Sequence, residues 1–195
     1  GLLTVRATKP SDQWMGSASF KLKIPPDCDL KLQTSNGRVS ARDLVANVEA
    51  RTSNGKVELK NIEGEIVAKT SNGTIDVQMC IGRLNLSTSN GKVSYGGVLL
   101  GTDNEIHTSN GKVYLQLQVE SLTEVVTKTS NGSISCALPT QRIIDEDKKH
   151  FHAIVGDGSV QNSDTRISVR TSNGSIKIEP LTPLVEEEPT EDIHF

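Results

Sequence analysis

The sequence predicts an all-β fold in which the chain winds into a solenoid of about 18–21 residues per coil. Three observations lead to this prediction. The tetrapeptide Thr-Ser-Asn-Gly (the TSNG motif) occurs seven times, apolar and polar residues alternate between its copies, and aromatic residues make up only 3% of the chain. A narrow column of valine, isoleucine and leucine suits stacked coils better than a thick globular core, because each coil covers the next.

The TSNG copies indicate the length of one coil. Successive copies are 18, 18, 18, 20, 21 and 42 residues apart. The long last interval predicts a degenerate copy at residues 155–158, which read Val-Gly-Asp-Gly, and hence eight coils. The seven identical copies begin at Thr34, Thr52, Thr70, Thr88, Thr108, Thr129 and Thr171.

Each repeat contains two strand-like runs, and each run ends at a glycine turn. In residues 52–69 the first run carries Val57 and Leu59, and the second carries Ile66 and Ala68. This period of two is typical of a strand with one buried face. The same phase places the threonine of the next motif inward and its serine outward.

Two architectures are compatible with these strands. Asn-Gly between alternating runs is the strongest short-range hairpin signal, which would make the chain an antiparallel meander. Constant repeat length and identical corners favour parallel coils, because a meander gives no reason for every turn to share four residues. Stacked corners would let each asparagine amide hydrogen-bond to the next. The predicted ladder consists of Asn36, Asn54, Asn72, Asn90, Asn110, Asn131 and Asn173.

The segments outside the regular repeats have separate predictions. Residues 1–33 lack the motif, read as strands over 3–7, 17–24 and 29–33, and are expected to cap the solenoid of residues 34–179. Residues 139–152 break the pattern and predict a loop or short helix that projects from one coil. Residues 180–195 form an acidic, proline-containing tail that we expect to be disordered or loosely attached.

The repeat resembles a known family. The similarity lies in residues 30–37 (Leu-Lys-Leu-Gln-Thr-Ser-Asn-Gly), in the recurring TSNG-Lys-Val units, and in residues 156–159 together with 170–176. These resemble the adhesin repeat domain, domain of unknown function 4097, over about residues 17–179. The resemblance implies a right-handed, single-stranded β-helix with a surface or adhesion role, and it carries over no catalytic residue.

Candidate catalytic and metal-binding residues are few. Glu58 and Asp76 occupy equivalent repeat positions, but serine and tyrosine follow at Ser94 and Tyr114, so no carboxylate pair recurs. The acidic residues 145–147 read as a solvent-facing run in the insert. His150 and His152 would share one strand face near Asp157, yet the spacing supplies no further ligand. We therefore predict a non-enzymatic chain without a metal site or cofactor.

Basic residues flank the motif on both sides. In stacked coils the residue before each threonine and the residue after each glycine point outward and line up beside the corner. A basic stripe can hold an anionic polymer such as an acidic polysaccharide. Exposed lysines also protect strands against aggregation, which is the plainer interpretation. The candidate anion-binding residues are Arg38, Arg51, Lys56, Lys69, Lys92, Lys112 and Lys128.

Composition and net charge restrict the classes of partner that the sequence predicts. With 21 basic and 24 acidic residues the net charge is −3, which argues against nucleic-acid binding. No apolar run approaches the ~20 residues of a membrane span. Three widely spaced cysteines match no metal motif and are expected to be small buried residues.

We expect a rigid spacer or adhesive module, extracellular or at a cell surface, whose partner is a protein, a polysaccharide or a second copy. A binder of anionic polymers is the second hypothesis, and a polysaccharide-active β-helix enzyme is the third.

Overall fold

The computed structural model describes residues 19–182, and these form an all-β solenoid of two parallel sheets with one additional hairpin. Within this range there are sixteen strands and no helix. In chain order the strands are β1 (Leu30–Gln33), β2 (Val39–Val45), β3 (Val48–Arg51), β4 (Val57–Glu63), β5 (Ile66–Asn72), β6 (Ile75–Gly82), β7 (Leu84–Asn90), β8 (Val93–Leu99), β9 (Asn104–Asn110), β10 (Val113–Leu117), β11 (Ser121–Thr129), β12 (Ile134–Cys136), β13 (Thr140–Glu146), β14 (His150–Val155), β15 (Val160–Thr171) and β16 (Ile176–Pro180).

Each coil contributes one strand to each sheet. Sheet A has nine strands in the order β1-β3-β5-β7-β9-β15-β11-β14-β13, and sheet B has seven in the order β2-β4-β6-β8-β10-β16-β12. A TSNG corner joins the sheet A strand of a coil to its sheet B strand. We number the coils by chain order, so that coil 5 is β9 and β10, coil 6 is β11 and β12, and coil 7 is β15 and β16.

The pairing of neighbouring coils is parallel and follows the repeat. Val48 pairs with Ile66, and Ile66 pairs with Leu84, each one repeat of 18 residues further along the chain. This register places equivalent apolar residues above one another, as the period-two pattern requires. The solenoid prediction is therefore confirmed, and the antiparallel meander is excluded for coils 1–7.

The core is the narrow aliphatic column that the alternation predicts. Val57, Leu59, Ile66 and Ala68 are each at most 1% exposed, and the phase continues to the buried Thr70. The neighbouring Ser71 is exposed. An apolar strand face of this kind excludes water and holds the two sheets together.

The coils do not stack in chain order. In sheet A, Ile167 of β15 pairs on one side with Asn104 of β9 and on the other with Val125 of β11. In sheet B, Ile176 of β16 pairs with Val113 of β10 and with Ile134 of β12. Coil 7 therefore lies between coil 5 and coil 6, although it follows both in the sequence.

The prediction of a degenerate motif at residues 155–158 is wrong. The backbone N–H of Gly156 donates to Pro139 O at 2.8 Å, and that of Asp157 donates to Val119 O at 2.7 Å. These contacts place the segment at the end of the coils opposite the TSNG corners, where it joins β14 to β15. The described stack consequently has seven coils rather than eight.

The segment 139–152 is a hairpin rather than the expected loop or short helix. Strand β14 pairs antiparallel with β11, and β13 pairs antiparallel with β14. Irregular register at two places in β13 breaks its alternation, which explains why the strand was missed in the sequence. Lys149 Nζ donates to Gly132 O at 2.8 Å, so the hairpin contacts the TSNG corner of coil 6, which is the last corner of the described stack.

The first coil begins at β1, which pairs in parallel with β3. Residues 19–24, the described part of the strand expected over 17–24, do not form a strand. The strand expected at residues 3–7 and most of the acidic tail fall in 1–18 and 183–195, which lie outside the described residues. Residues 30–33, expected to belong to the cap, are therefore a sheet A strand of coil 1, and residues 19–29 form no strand.

A buried asparagine links coil 7 to coil 5 at the end of the coils opposite the TSNG corners. Asn104 is 2% exposed, and its Oδ1 accepts from the backbone N–H of Leu84 at 3.0 Å. Its Nδ2 lies 2.9 Å from the carbonyl oxygens of both Gly101 and Arg166. One amide thus satisfies backbone groups of coils 4, 5 and 7, as a buried corner requires.

Residues with a left-handed backbone conformation occupy equivalent positions in three neighbouring strands of sheet B, β2, β4 and β6. Asp43, Asn61 and Met79 have φ values of 60°, 53° and 54°, and Asn61 Nδ2 donates to Asp43 Oδ1 at 2.9 Å. Aspartate and asparagine tolerate this conformation, whereas methionine does so at a cost. Met79 is therefore the strained residue of the three.

Replacing Met79 by asparagine is expected to stabilise the protein by about 1 kcal/mol, because it relieves left-handed strain. Its amide would also reach Asn61 and extend the bond that Asn61 makes to Asp43. Urea unfolding at equilibrium measures the change. Met79→Leu is the matched control, since leucine keeps the apolar volume without favouring the left-handed region. Equal stability of the two variants would contradict this account.

Candidate functional site

In six of the seven motifs the threonine points into the stack and bonds to the corner of a neighbouring coil, whereas Thr34 of coil 1 donates to Asn36 O of its own motif at 3.1 Å. The Oγ1 of each of the six donates to the carbonyl oxygen of the neighbouring coil's motif glycine, and these six threonines are 7% exposed or less. Each buried hydroxyl therefore has a partner. The pairs are Thr52–Gly37 (3.4 Å), Thr70–Gly55 (3.3 Å), Thr88–Gly73 (3.2 Å), Thr108–Gly91 (3.2 Å), Thr171–Gly111 (3.1 Å) and Thr129–Gly174 (2.9 Å).

The asparagines form one continuous amide ladder along the corner. Each Nδ2 donates to the Oδ1 of the coil before it in space, over six consecutive bonds. Asn173 stands between Asn110 and Asn131, as the position of coil 7 requires. The bonds are Asn54–Asn36, Asn72–Asn54 and Asn90–Asn72 (2.9 Å each), Asn110–Asn90 (2.8 Å), Asn173–Asn110 (2.7 Å) and Asn131–Asn173 (2.9 Å).

Replacing Asn72 by alanine is expected to destabilise the protein by about 1–2 kcal/mol, because it removes two ladder bonds. Asn36→Ala, at the first rung, removes one bond and is expected to cost about half as much. Urea unfolding of both variants measures the ratio. An equal loss in the two variants would show that the ladder bonds do not set the cost.

In every motif except the first, the glycine is required by lack of space. A Cβ added to Gly73 would lie 1.8 Å from the carbonyl oxygen of Gly55, and one added to Gly55 would lie 1.9 Å from that of Gly37. The corners stack backbone on backbone, so no side chain fits between them. Threonine, asparagine and glycine thus each have a separate structural task, while the motif serines face outward.

One basic column runs along sheet A beside the corner, and we call it column A. Its members occupy the position before each motif threonine and are paired in register from coil to coil. Neighbouring members are separated by one strand spacing, about 4.8 Å. In spatial order column A is Gln33, Arg51, Lys69, Ser87, His107, Arg170 and Lys128.

The position of coil 7 changes the order of the residues in column A. Arg170 lies between His107 and Lys128, which brings three basic side chains together. Arg51 Nε pairs with Glu49 Oε1 at 2.6 Å. Within the described residues, Lys69 and Arg170 have no ion pair. Column A therefore keeps positive charge available to a partner.

The other candidate residues lie across the corner on sheet B, at the position after each motif glycine, which we call column B. Backbone hydrogen bonds from the following residue place these members in successive coils. Two of the four basic members are ion-paired, and Lys92 Nζ lies 4.3 Å from the ring centroid of Tyr114. Column B is thus partly neutralised. Its members are Arg38, Lys56, Thr74, Lys92, Lys112, Ser175 and Ser133.

The in-register acids Glu58 and Asp76 are both bound by one lysine. Lys56 Nζ lies 2.5 Å from Glu58 Oε1 and 3.3 Å from Asp76 Oδ2, and Arg38 Nε lies 3.2 Å from Glu58 Oε2. The bond to Glu58 is the main cause that raises the pKa of Lys56 above its ordinary value. These carboxylates form a charged network on an open sheet face rather than a poised acid and base.

The histidines of the hairpin strand bond to separate carboxylates. His150 Nδ1 lies 2.7 Å from Asp145 Oδ2, and His152 Nε2 lies 2.7 Å from Glu124 Oε1. Asp147 accepts from the backbone N–H groups of Lys149 and His150, and the first of these bonds is the main cause that lowers the pKa of its carboxyl. Among residues 19–182 no group of three histidine, cysteine, aspartate or glutamate side chains could hold a metal.

Burial makes two of the three cysteine thiols less reactive. Burial raises the pKa of the Cys80 thiol to about 11 and also raises the pKa of Cys136, so both thiols stay protonated near neutral pH. All three cysteines are free, and Cys28 is half-buried. A cavity of about 170 Å³ lies under the hairpin and is lined by Cys136, Phe151, Glu146 and Asp147 among others.

Sequence reasoning missed the place of Arg170 in column A. Residue 170 precedes a motif threonine, but chain order sets it at the end of the column rather than between His107 and Lys128. The last interval of 42 residues is twice 21, which favoured a hidden coil. The only signal against that reading was the absence of any TSNG-like threonine and asparagine at residues 155–158.

Comparisons with known proteins identify one family. A family model described as Toastrack DUF4097 matches residues 16–179 of the chain. Searches of curated proteins and of solved structures found no match. Within residues 19–182, no helix has the length and apolar character needed to cross a membrane.

Proposed function

The chain belongs to the Toastrack DUF4097 family, and from that premise we propose that it is a non-catalytic structural module that adheres to its partner through its exposed faces at a cell surface. The family description names no activity. The proposal for this chain therefore depends on what its repeat builds and on what its surface offers.

The observation that carries the proposal is the continuous corner ladder. Six amide bonds and six threonine-to-carbonyl bonds tie every described coil to its neighbour. Such continuous bonding, with every donor pointing the same way along the stack, makes a stiff body and keeps outward side chains at a fixed spacing of about 4.8 Å. A stiff body with a regular surface suits a spacer or an adhesive module.

The hydrogen bonds and ion pairs of the acidic side chains support the non-catalytic part of the proposal. Glu58 and Asp76 on sheet B are both bound by Lys56. Asp145 and Glu124 bond to histidines, and Asp147 accepts from backbone N–H groups. Polysaccharide hydrolysis requires two carboxyl groups facing one bond across a cleft, with one pKa raised. Among the described residues, Glu58 and Asp76 lie on an open sheet face, and the cavity under the hairpin is lined by Glu146 and Asp147, where the backbone N–H of Lys149 lowers the pKa of the Asp147 carboxyl instead of raising it.

The test is incubation of the immobilised protein with a panel of acidic and neutral polysaccharides. Retention and polymer length are scored on the same samples, in low and in raised salt. A non-catalytic module leaves every polymer at its original length. Shortening of any polymer, absent with heat-unfolded protein, would contradict the proposal.

A second candidate function, the binding of an anionic polymer, is favoured by column A. Lys69 and Arg170 carry positive charge without an ion pair within residues 19–182, and Lys128 stands next to Arg170. A row of cations about 4.8 Å apart can meet successive charges of an extended acidic polysaccharide. Attraction of this kind weakens as salt is raised, because exposed charges are screened.

Replacing Arg170 and Lys128 by serine is expected to lower the retention of an acidic polysaccharide by about ten-fold at low salt, as two close contacts are lost. The matched control is Lys92→Ser with Lys112→Ser, which removes the same charge from column B. Serine already occupies column B in coils 6 and 7, so the control coils tolerate it. Equal losses in the two double variants would attribute retention to net charge and contradict a site at column A.

A further inference from the structure

Coil 7 fills a slot whose two walls do not pair with each other. On the sheet A side β15 separates β9 from β11, and on the sheet B side β16 separates β10 from β12. Without coil 7, these walls would each expose a strand edge with unpaired backbone groups. Unpaired edges of this kind readily accept another strand. The slot is therefore an acceptor site that the chain itself occupies.

The interior of the slot is apolar and fully covered. Ile167, Val169, Ile176 and Ile178 of coil 7 are each 0% exposed. At the corner Thr171 Oγ1 donates to Gly111 O, and Thr129 of coil 6 donates to a carbonyl of coil 7. All of these contacts are non-covalent. They would be the same if coil 7 came from another molecule of identical sequence.

A single short connection joins coil 7 to the preceding strands. Residues 156–159 lead from β14 to β15 across the start of β11. Gly156 and Gly158 have φ values of 109° and 73°, which glycine adopts without strain. A hinge of this composition can change its backbone conformation and let coil 7 leave the slot as one unit.

We propose that the slot between coils 5 and 6 accepts coil 7 of a second copy of this chain, so that two chains exchange coil 7 and form a dimer of two complete stacks. The closed chain and the exchanged dimer share all contacts outside the hinge. At low concentration the closed monomer is favoured over the exchanged dimer, because the tethered coil 7 is already near its own slot. At high concentration, exchange fills the slot from the second copy.

The first test is refolding of the full chain at increasing protein concentration, followed by sedimentation to measure mass. Exchange predicts that the ratio of dimer to monomer rises in proportion to the concentration of free monomer. Dimer isolated at high concentration should convert to monomer after unfolding and dilute refolding. A monomer at every concentration would overturn the proposal.

The second test identifies the exchanged segment. Glu105 of β9 pairs in register with Ser168 of β15, and both side chains face outward. One copy carries Glu105→Cys and the other carries Ser168→Cys, each with the native cysteines replaced (Cys28→Ser, Cys80→Ala, Cys136→Ser). The copies are refolded together at high concentration under reductant and then oxidised. Exchange brings residue 105 of one copy beside residue 168 of the other, within reach of a disulfide.

The matched control pairs a Glu105→Cys copy with a Val126→Cys copy. Val126 of β11 pairs with Ser168, so it lies in the wall that stays with its own chain, two strands from residue 105. Exchange predicts an interchain disulfide in the first pair, at least about ten-fold more than in the control, since the control distance exceeds disulfide reach. Equal cross-linking in both pairs would indicate a different dimer and overturn the proposal.

A further control keeps a negative result interpretable. One chain carrying both Glu105→Cys and Ser168→Cys, refolded when dilute, should form the disulfide within the chain and remain monomeric. Its formation shows that the background folds with the native register. The proposal is independent of adhesion, because its outcome depends on the slot and not on either basic column.

Discussion

Gly73→Ala is expected to destabilise the protein by about 4 kcal/mol, because its Cβ would lie 1.8 Å from a backbone oxygen. The obstacle is the carbonyl of Gly55, which is also the acceptor of the Thr70 hydroxyl. Neither coil can move away without breaking that bond and the amide ladder. Urea unfolding followed by circular dichroism measures the loss.

The matched control for Gly73→Ala is Ser71→Ala at the same corner. Ser71 is exposed, so alanine there removes only a solvent-facing hydroxyl. Its cost is expected to stay within about 0.5 kcal/mol, the usual range for surface substitutions. If the glycine variant is no less stable than the serine variant, backbone stacking at the corner is not what requires glycine.

Val169→Asp is expected to cost about 5 kcal/mol or more, because it buries an unpaired carboxylate. Val169 is 0% exposed and pairs in register with Ile106 of coil 5 and Thr127 of coil 6. The introduced acid would have a raised pKa in the folded state, because burial disfavours its charge. Its cost should therefore shrink as pH falls, since the protonated form is the one that the fold tolerates.

Thermal unfolding at several pH values measures this effect, and Ser168→Asp is the matched control. Ser168 is the neighbouring residue of the same strand and faces outward. A chain with coil 7 at the end of the stack would leave position 169 partly accessible, and the two aspartates would then cost similar amounts. A small cost at position 169 would contradict the placement of coil 7 between two coils.

The regular part of the fold could be predicted from the sequence because each repeat contains the residues that determine its strands and its corner. Alternation at Val57, Leu59 and Ile66 assigns the buried face, and the motif assigns the corner. The asparagine ladder follows from stacking identical corners. These features are local or depend only on neighbouring coils of equal length, so one sequence is enough to deduce them.

The order of the coils could not be predicted, because it depends on a choice between equivalent neighbours. The corner of coil 7 fits that of coil 5 or coil 6 equally well, since all three carry the same four motif residues. The hairpin and the hinge at residues 156–159 decide the choice by setting the chain's path. The grouping of Arg170 with His107 and Lys128 depends on that order, so the sequence showed the stripe but not its arrangement.

Both the proposed binding along column A and the proposed exchange depend on coil 7 lying between coils 5 and 6. Disulfide trapping in the dilute monomer, with the native cysteines replaced as above, tests this directly. Two chains are compared, one with Glu105→Cys and Ser168→Cys, the other with Glu105→Cys and Val126→Cys. The structure predicts an intrachain disulfide only in the first, because only residues 105 and 168 are in register on adjacent strands. A disulfide only in the second would show that the coils stack in chain order, and would contradict the account.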